Sequence, residues 1–309
     1  RTDEALAVFR ETMERFPHDE VAPSAYAETL RSVGRTDEAL AVFRETMERF
    51  PHDEVPRNAY AETLRSVGRT DEALAMFRET MERFPHNEVA PNAYAETLRE
   101  MGLMREALVV LRETASRFSH SEVTRTALAD LLITMGDVAN GKALLAVAAK
   151  RLQFRGDWIA LHVLAMGYLR RGDTASAIQM LSRGKAECPF NDVVLYFKTA
   201  LALALIMDRN AKQALAELAF DLKTPTGSTP ETVTRLLVRA HALGECGDIE
   251  ETQGELLEIK GNFFLSTKQA ELADVLLMRY ANPATGVPRL FAANDNIFRL
   301  EFELMRVAA

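Results

Sequence analysis

The sequence predicts an all-α fold, an array of antiparallel helix pairs repeating every 34 residues. Three observations carry this. The string from Ala25 through Gly34 to Pro51 returns from Ala59 to Pro85 and, slightly altered, from Ala93, and Arg1 to Val21 recurs letter for letter as Arg35 to Val55. Gly34, Gly68, Gly102 and Gly136 are evenly spaced. Within each copy the apolar residues recur at helical spacing. A fixed period of this size means stacked small units.

Each clean copy divides into two helices. Helix A is expected over residues 23–33. Pro23, and Pro91 two copies on, suit a first helical turn, where a missing N–H costs nothing. Tyr26, Leu30 and Val33 share one face. Gly34 supplies the left-handed residue that stops the helix. Helix B follows at once, with Thr36 as N-cap and Asp37 and Glu38 at the positive end of its dipole. Ala39, Leu40, Phe43, Met47 and Phe50 form its buried stripe. On the outer face, Arg44 with Glu48 and Glu45 with Arg49 form i,i+4 pairs. Pro51 stops the helix, and His52-Asp53-Glu54 turns the chain into the next copy. A single copy buries too little apolar surface to fold alone, so neighbours on both sides must supply the rest.

After Gly102 the pattern drifts but persists. Helix B at 104–118 has Leu111 in place of the Phe, and helix A at 126–135 ends at Gly136. In the helix at 140–152, Gly141 stands where Ala is usual, which alters the packing there. Residues 158–171, Gly172, 174–187 and Pro189 restore a clear copy. Residues 193–207 and 212–222 form a pair without the central Gly. Residues 224–230 read as a loop in which Thr229 caps, and Pro230 opens, the next helix. Then come 231–246, Gly247 and 249–259, one more helix at 267–280, an irregular stretch at 282–294, and a last helix at 296–307 capped by Asp295. The expected organisation is regular repeats over 1–189, the first truncated; degenerate helical repeats over 190–261; and C-terminal helices with an irregular loop over 262–309, capping or docking. The chain opens inside a repeat at Arg1-Thr2-Asp3-Glu4, without an initiator Met, which suggests that it is part of a longer protein.

Hydrophobic residues at 48% and aromatic residues at 7% suit a soluble protein whose small side chains let helices pack closely. The net charge of −8 advertises neither a nucleic-acid nor an anionic-membrane partner. No apolar run reaches the length of a membrane span; the most apolar stretch, 193–207, carries Lys198. Cys188 and Cys246 fall in different copies, beyond disulfide reach at helix-packing distances. They are read as free thiols in a reducing compartment, the cytoplasm.

The copies resemble tetratricopeptide repeats. The residues that carry the resemblance are Ala27, Leu30, Gly34, Ala39, Phe43 and Pro51. They recur as Ala61, Leu64, Gly68, Ala73, Phe77 and Pro85, and again as Ala165, Tyr168, Gly172, Ala177, Leu181 and Pro189. Where the family often has an early Trp, this chain has Pro23, Arg57 and Pro91; Tyr26 stands in a usual Leu position and Thr46 in a usual Ala position. The match is good to Pro189 and weaker to Gly261. The resemblance implies a right-handed superhelical solenoid, rarely catalytic, whose concave side is lined by helix A and holds a peptide or partner helix. Some members clamp a terminal carboxylate with Lys and Asn on helix A. Glu28, Glu62 and Glu96 stand where that clamp needs a neutral amide, which argues against it here.

The outward positions of helix A are expected to be Ser24, Glu28, Arg31 and Ser32, then Asn58, Glu62, Arg65 and Ser66, then Asn92, Glu96, Arg99 and Glu100. Glu28/Arg31, Glu62/Arg65 and Glu96/Arg99 make a ladder of alternating charge. It could receive a charged peptide, or form a solvated face of i,i+3 pairs carried along by duplication. The partner-binding set is therefore Glu28, Arg31, Asn58, Glu62, Arg65, Asn92, Glu96 and Arg99. His18, His52, His86 and His120 recur beside acidic or polar residues. At roughly 10 Å from one another, by the helix-packing scale, they are too far apart for one metal ion. No catalytic, cofactor or metal constellation emerges. Trp158, Leu161, Leu164 and Tyr168 read as core. Phe291, Ile297, Phe298, Leu300, Phe302, Leu304 and Met305 either seal the last repeat or form a docking surface, for a second copy through the terminal helices or for the rest of the protein.

The expected function is a non-enzymatic interaction scaffold that holds a protein or peptide in its concave groove. The alternatives are a regulatory or sensory arm of a larger multidomain enzyme, and an RNA-binding helical repeat. The latter is disfavoured by five basic against seven acidic residues between Arg35 and Gly68.

Overall fold

The computed structural model describes residues 2–151, 156–218, 230–263 and 265–281. Among them are sixteen α-helices and no strand. In order they are α1 (Thr2–Arg15), α2 (Val21–Ser32), α3 (Thr36–Arg49), α4 (Val55–Ser66), α5 (Thr70–Arg83), α6 (Val89–Glu100), α7 (Met104–Arg117), α8 (Glu122–Thr134), α9 (Val138–Arg151), α10 (Gly156–Arg170), α11 (Thr174–Glu187), α12 (Asn191–Met207), α13 (Ala211–Leu218), α14 (Pro230–Cys246), α15 (Ile249–Asn262) and α16 (Thr267–Tyr280). The all-α repeat architecture is as the 34-residue period predicts. The chain forms two compact units, Arg1–Thr124 and Arg125–Ala309. The expected cap at Thr229 and most of the loop before α14 lie outside the described residues, as do the stretch 282–294, the helix at 296–307 and its apolar residues.

In the N-terminal unit each helix packs on its neighbours in sequence, and successive A helices also touch, α2 on α4 and α4 on α6. The core is the expected stripe. Ala27, Leu30, Ala39, Leu40, Phe43 and Met47 are buried, and Ala61, Leu64, Ala73 and Phe77 repeat them.

Helix A starts two residues earlier than expected, at Val21, and Pro23 is its third residue. The reason is a capping position the period also carries. Asp19 Oδ1 accepts from the N–H of Val21 at 2.7 Å and of Ala22 at 3.2 Å. Asp53, Asn87 and Ser121 cap α4, α6 and α8 in the same way. These side chains satisfy N–H groups that a helix start leaves open.

Helix B also starts differently. Arg35 is the residue before α3, and Thr36 is already helical, its hydroxyl turned back to the Gly34 carbonyl at 3.5 Å. Arg35 instead forks onto Glu38 with two bonds of 2.6 Å. Phe50 follows the helix rather than joining its stripe and is half-buried beneath the Arg49 guanidinium, 5.5 Å from the ring centre. Of the expected outer pairs, Arg44 reaches forward to the Tyr60 hydroxyl at 3.1 Å, and Arg49 reaches back to the Pro17 carbonyl. Both side chains tie one copy to the next.

Each helix A is closed by a left-handed residue. At Gly34, φ is 72°, with Gly34 N–H on the Arg31 carbonyl and Arg35 N–H on that of Leu30. In α12, which lacks the Gly, Arg209 adopts φ 62° in its place. That is a cost a Cβ-bearing residue pays for keeping the turn.

The C-terminal unit is built on larger apolar contacts. One cluster gathers Ala165, Met166, Leu169, Leu181, Phe197 and Leu203, with Trp158, Leu161 and Tyr168 against it. Others lie around Ile133 and Leu145, where Leu164 packs, and around Leu237, Leu256 and Leu276. Large side chains press into glycine notches. A Cβ on Gly184 would stand 2.1 Å from the Phe197 ring, and one on Gly244 2.3 Å from the Tyr280 ring. Cys188 and Cys246 are both free and half-buried. No helix among the described residues is long and apolar enough to cross a membrane.

Candidate partner-binding face

The A helices of the N-terminal unit turn one face outward, and its residues follow from helical spacing. Positions 21, 24, 28 and 31 fall along one side of α2, as do 55, 58, 62 and 65 in α4, and 89, 92, 96 and 99 in α6. The capped first turn of each helix presents a valine. Val21, Val55, Val89 and Val123 form a row at 34-residue spacing, from 69% exposed at Val21 to 41% at Val123. The sequence reading missed this row. Its signal was available: an identical aliphatic residue in every copy, three residues before the expected outward position.

One turn further in, the expected outward positions are not outward. Ser24 and Asn58 are buried, and Asn92 is half-buried. Asn92 Nδ2 donates to the Glu88 carbonyl and to Thr124 Oγ1, each at 2.8 Å. That second bond sets the start of α8 beside α6. The Oδ1 atoms of Asn58 and Asn92 are buried without a hydrogen bond. Arg57, at the place of Pro23 and Pro91, is also buried, paired with Glu79 at 2.8 Å.

The charge ladder is present and internally paired. Arg31 bonds Glu28 at 2.5 Å, Arg65 bonds Glu62 at 2.6 Å, and Arg99 bonds Glu96 at 2.8 Å. Arg65 also reaches Glu100 of the next A helix at 2.6 Å. The arginine side chain is 36% exposed in the first rung, 24% in the second and 7% in the third. The ladder thus deepens along the stack, and Arg99 is a structural ion pair more than an open one.

In α8, α10 and α12 of the C-terminal unit most of the equivalent positions are apolar. Ile133, Leu169 and Ile206 stand where the arginines were, Met166 and Leu203 where the glutamates were, and all are buried. Asp130 keeps its carboxylate but pairs with Arg170 at 2.5 Å, both side chains nearly enclosed. His162 is buried nearby, edge-on to Tyr196 and Phe197 at 6.2 and 5.8 Å, with Nε2 unbonded. Burial holds its pKa down to about 4, with the nearby Arg170 adding to the effect and Asp130 opposing it.

Charge divides the same way. Residues Arg1–Thr124 contain 16 arginines, no lysine and 24 Asp or Glu, while the rest of the chain holds 21 basic and 21 acidic residues. The whole net charge of −8 therefore belongs to the N-terminal unit. His18, His52, His86 and His120 are exposed, and among the described residues no group of three or more His, Cys, Asp or Glu could hold a metal ion.

Comparison with known proteins agrees with this architecture. Residues 21–98 match the family model of the bacterial transcriptional activator domain. A tetratricopeptide repeat protein from Parabacteroides merdae ATCC 43184 superposes with a TM-score of 0.56 at 13% identity, over 89% of this chain and 99% of that one. The APC/C hetero-tetramer Cut9-Hcn1 gives 0.52 at 17% identity, over 91% of this chain and 53% of that chain. No curated protein matches the sequence. At these identities the likeness concerns the fold, which is that of a tetratricopeptide-like helical-repeat solenoid.

Proposed function

We propose that the chain is a non-catalytic scaffold and that the A-helix face of its N-terminal unit binds a polypeptide partner. The observation that carries this is the contrast between the two units at equivalent positions. On α2 and α4 the charged pairs Glu28–Arg31 and Glu62–Arg65 keep part of their surface open, whereas in the C-terminal unit the positions of these arginines are closed by Ile133, Leu169 and Ile206. A periodic open face can contact an extended or helical segment at several points at once. Glu28, Arg31, Glu62 and Arg65 are the rungs that retain exposure; Asn58, Asn92, Glu96 and Arg99 support the face from beneath. The two unbridged cysteines support a reducing, cytoplasmic setting.

A photo-crosslinking residue at Glu28 or Glu62 tests the reading against the same residue at Glu48 or Glu82 on the B helices. Adducts confined to the A-face positions are expected. The same adducts from the B-face positions, with none from the A face, would overturn it.

A second reading is favoured by the family match over residues 21–98: the unit is the interaction arm of a larger transcription-regulating protein. Fusing the chain to a DNA-binding domain and measuring a reporter tests it. Output that depends on Glu28 and Glu62 is expected, and a reporter unmoved by the fusion excludes it.

A further inference from the structure

We propose that the valine row seats an extended, basic segment with an aliphatic residue at every third position. This rests on the A-face reading above and specifies its occupant. Val21, Val55 and Val89 are each more than half exposed, and Val123 continues the row beside α6. Neighbouring helices pack at roughly 8–10 Å, so the valines recur at about that distance. A segment in the extended polyproline II conformation advances about 3.1 Å per residue with three residues per turn, so side chains three apart lie on one face and span one interval. A segment crossing the A helices therefore meets a valine with every third side chain.

Charge selects the rest of the segment. Glu20, Glu54, Glu88 and Glu122 immediately precede the four valines, in a unit that carries the full net charge of −8. An acidic segment would find little to hold it. The first-turn N–H groups are engaged by Asp19, Asp53, Asn87 and Ser121. The ladder arginines already hold Glu28, Glu62 and Glu96. Lysine or arginine between the aliphatic residues complements the row, and both attraction and association rate then fall with added salt.

The test is fluorescence anisotropy on the full chain with three labelled 12-residue peptides. The first repeats Ile-Lys-Ser four times; the second has the same residues with the isoleucines clustered; the third replaces Lys by Glu. The first should bind at least tenfold more tightly than either other. The Val55→Ser/Val89→Ser double variant should weaken it at least fivefold, both side chains being exposed and outside the core. Equal binding of the three peptides, or unchanged affinity in the variant, overturns the proposal. If the first peptide fails to bind while A-face crosslinks still form, the valine-row inference falls and the scaffold reading stands. Loss of both removes both.

Discussion

Ile133 occupies the volume that a side chain on Gly141 would need: a Cβ on Gly141 would lie 2.4 Å from Ile133 Cγ1 and 3.0 Å from the Ala129 carbonyl oxygen. In the clean copies the Gly141 position is Ala39, Ala73 or Ala107, and the Ile133 position is Arg31, Arg65 or Arg99. The two changes compensate. The isoleucine packs against the Gly141 backbone and leaves no room for the alanine methyl. Gly167 opens space on its other side, 2.2 Å from Ile133 Cγ2 by the same measure.

Gly141→Ala is therefore expected to destabilise the C-terminal unit by about 1–3 kcal/mol through overpacking, although alanine gains about 1 kcal/mol in helix propensity. In the Ile133→Ala background the same substitution should be neutral or stabilising. A double-mutant cycle by urea denaturation reads the coupling. Additive effects would show that the two residues do not compete for this space.

The ion-pair ladder should grade in energy along the stack. Arg31→Ala removes a pair open to solvent and should cost less than about 1 kcal/mol. Arg99→Ala leaves the mostly enclosed Glu96 without its close partner at 2.8 Å and should cost about 2 kcal/mol or more. Urea midpoints of the two variants decide this. Raising salt should narrow the effect of Arg31→Ala and leave that of Arg99→Ala nearly unchanged. Equal costs would mean that burial does not set the strength of the rungs.

The capping positions separate two readings of the same turn. Asp53→Ala should lose about 1 kcal/mol, because Val55 N–H then loses its acceptor at 2.9 Å. Thr36→Ala should change stability by less than about 0.5 kcal/mol, since its hydroxyl caps nothing. The reverse order in thermal denaturation would restore Thr36 as the cap.

Much of this architecture was legible because duplication writes the period directly into the residues. Ala27, Leu30, Ala39 and Phe43 are buried as their spacing demands, and Gly34 turns left-handed as its place demands. The face itself was harder to read. Helical spacing tells which side a residue is on, but not how far the next A helix covers it. Ser24 and Asn58 share the outward side and are nonetheless buried where successive A helices touch, α2 on α4 and α4 on α6. Contacts between copies were equally invisible from within one copy. Arg44 was assigned to Glu48 on its own helix, while the structure gives it to Tyr60 sixteen residues on. Val21 lies ahead of the helix start expected at Pro23, and only its exposure marks it as part of the face.

His162 gives the C-terminal unit a definite response to acid. It lies on α10 with Arg170 and Asp130 as its charged neighbours and the rings of Tyr196 and Phe197 from α12 against it. Burial lowers its pKa from the ordinary 6.5 to about 4. The unfolded chain therefore takes up a proton near pH 6.5, and the folded chain does so only near 4. Between these values the unfolded state binds more protons, so stability rises with pH. The contribution is fully present above about pH 6.5, fades as pH falls through the window, and is exhausted below about 4. Its ceiling is about 3 kcal/mol at 1.36 kcal/mol per pKa unit. His162→Phe keeps an aromatic ring against Tyr196 and Phe197 but cannot titrate. Urea midpoints measured from pH 7 to pH 4 should fall less steeply in that variant than in the parent chain. Matching slopes would assign the acid sensitivity to other groups and leave His162 a packing residue only.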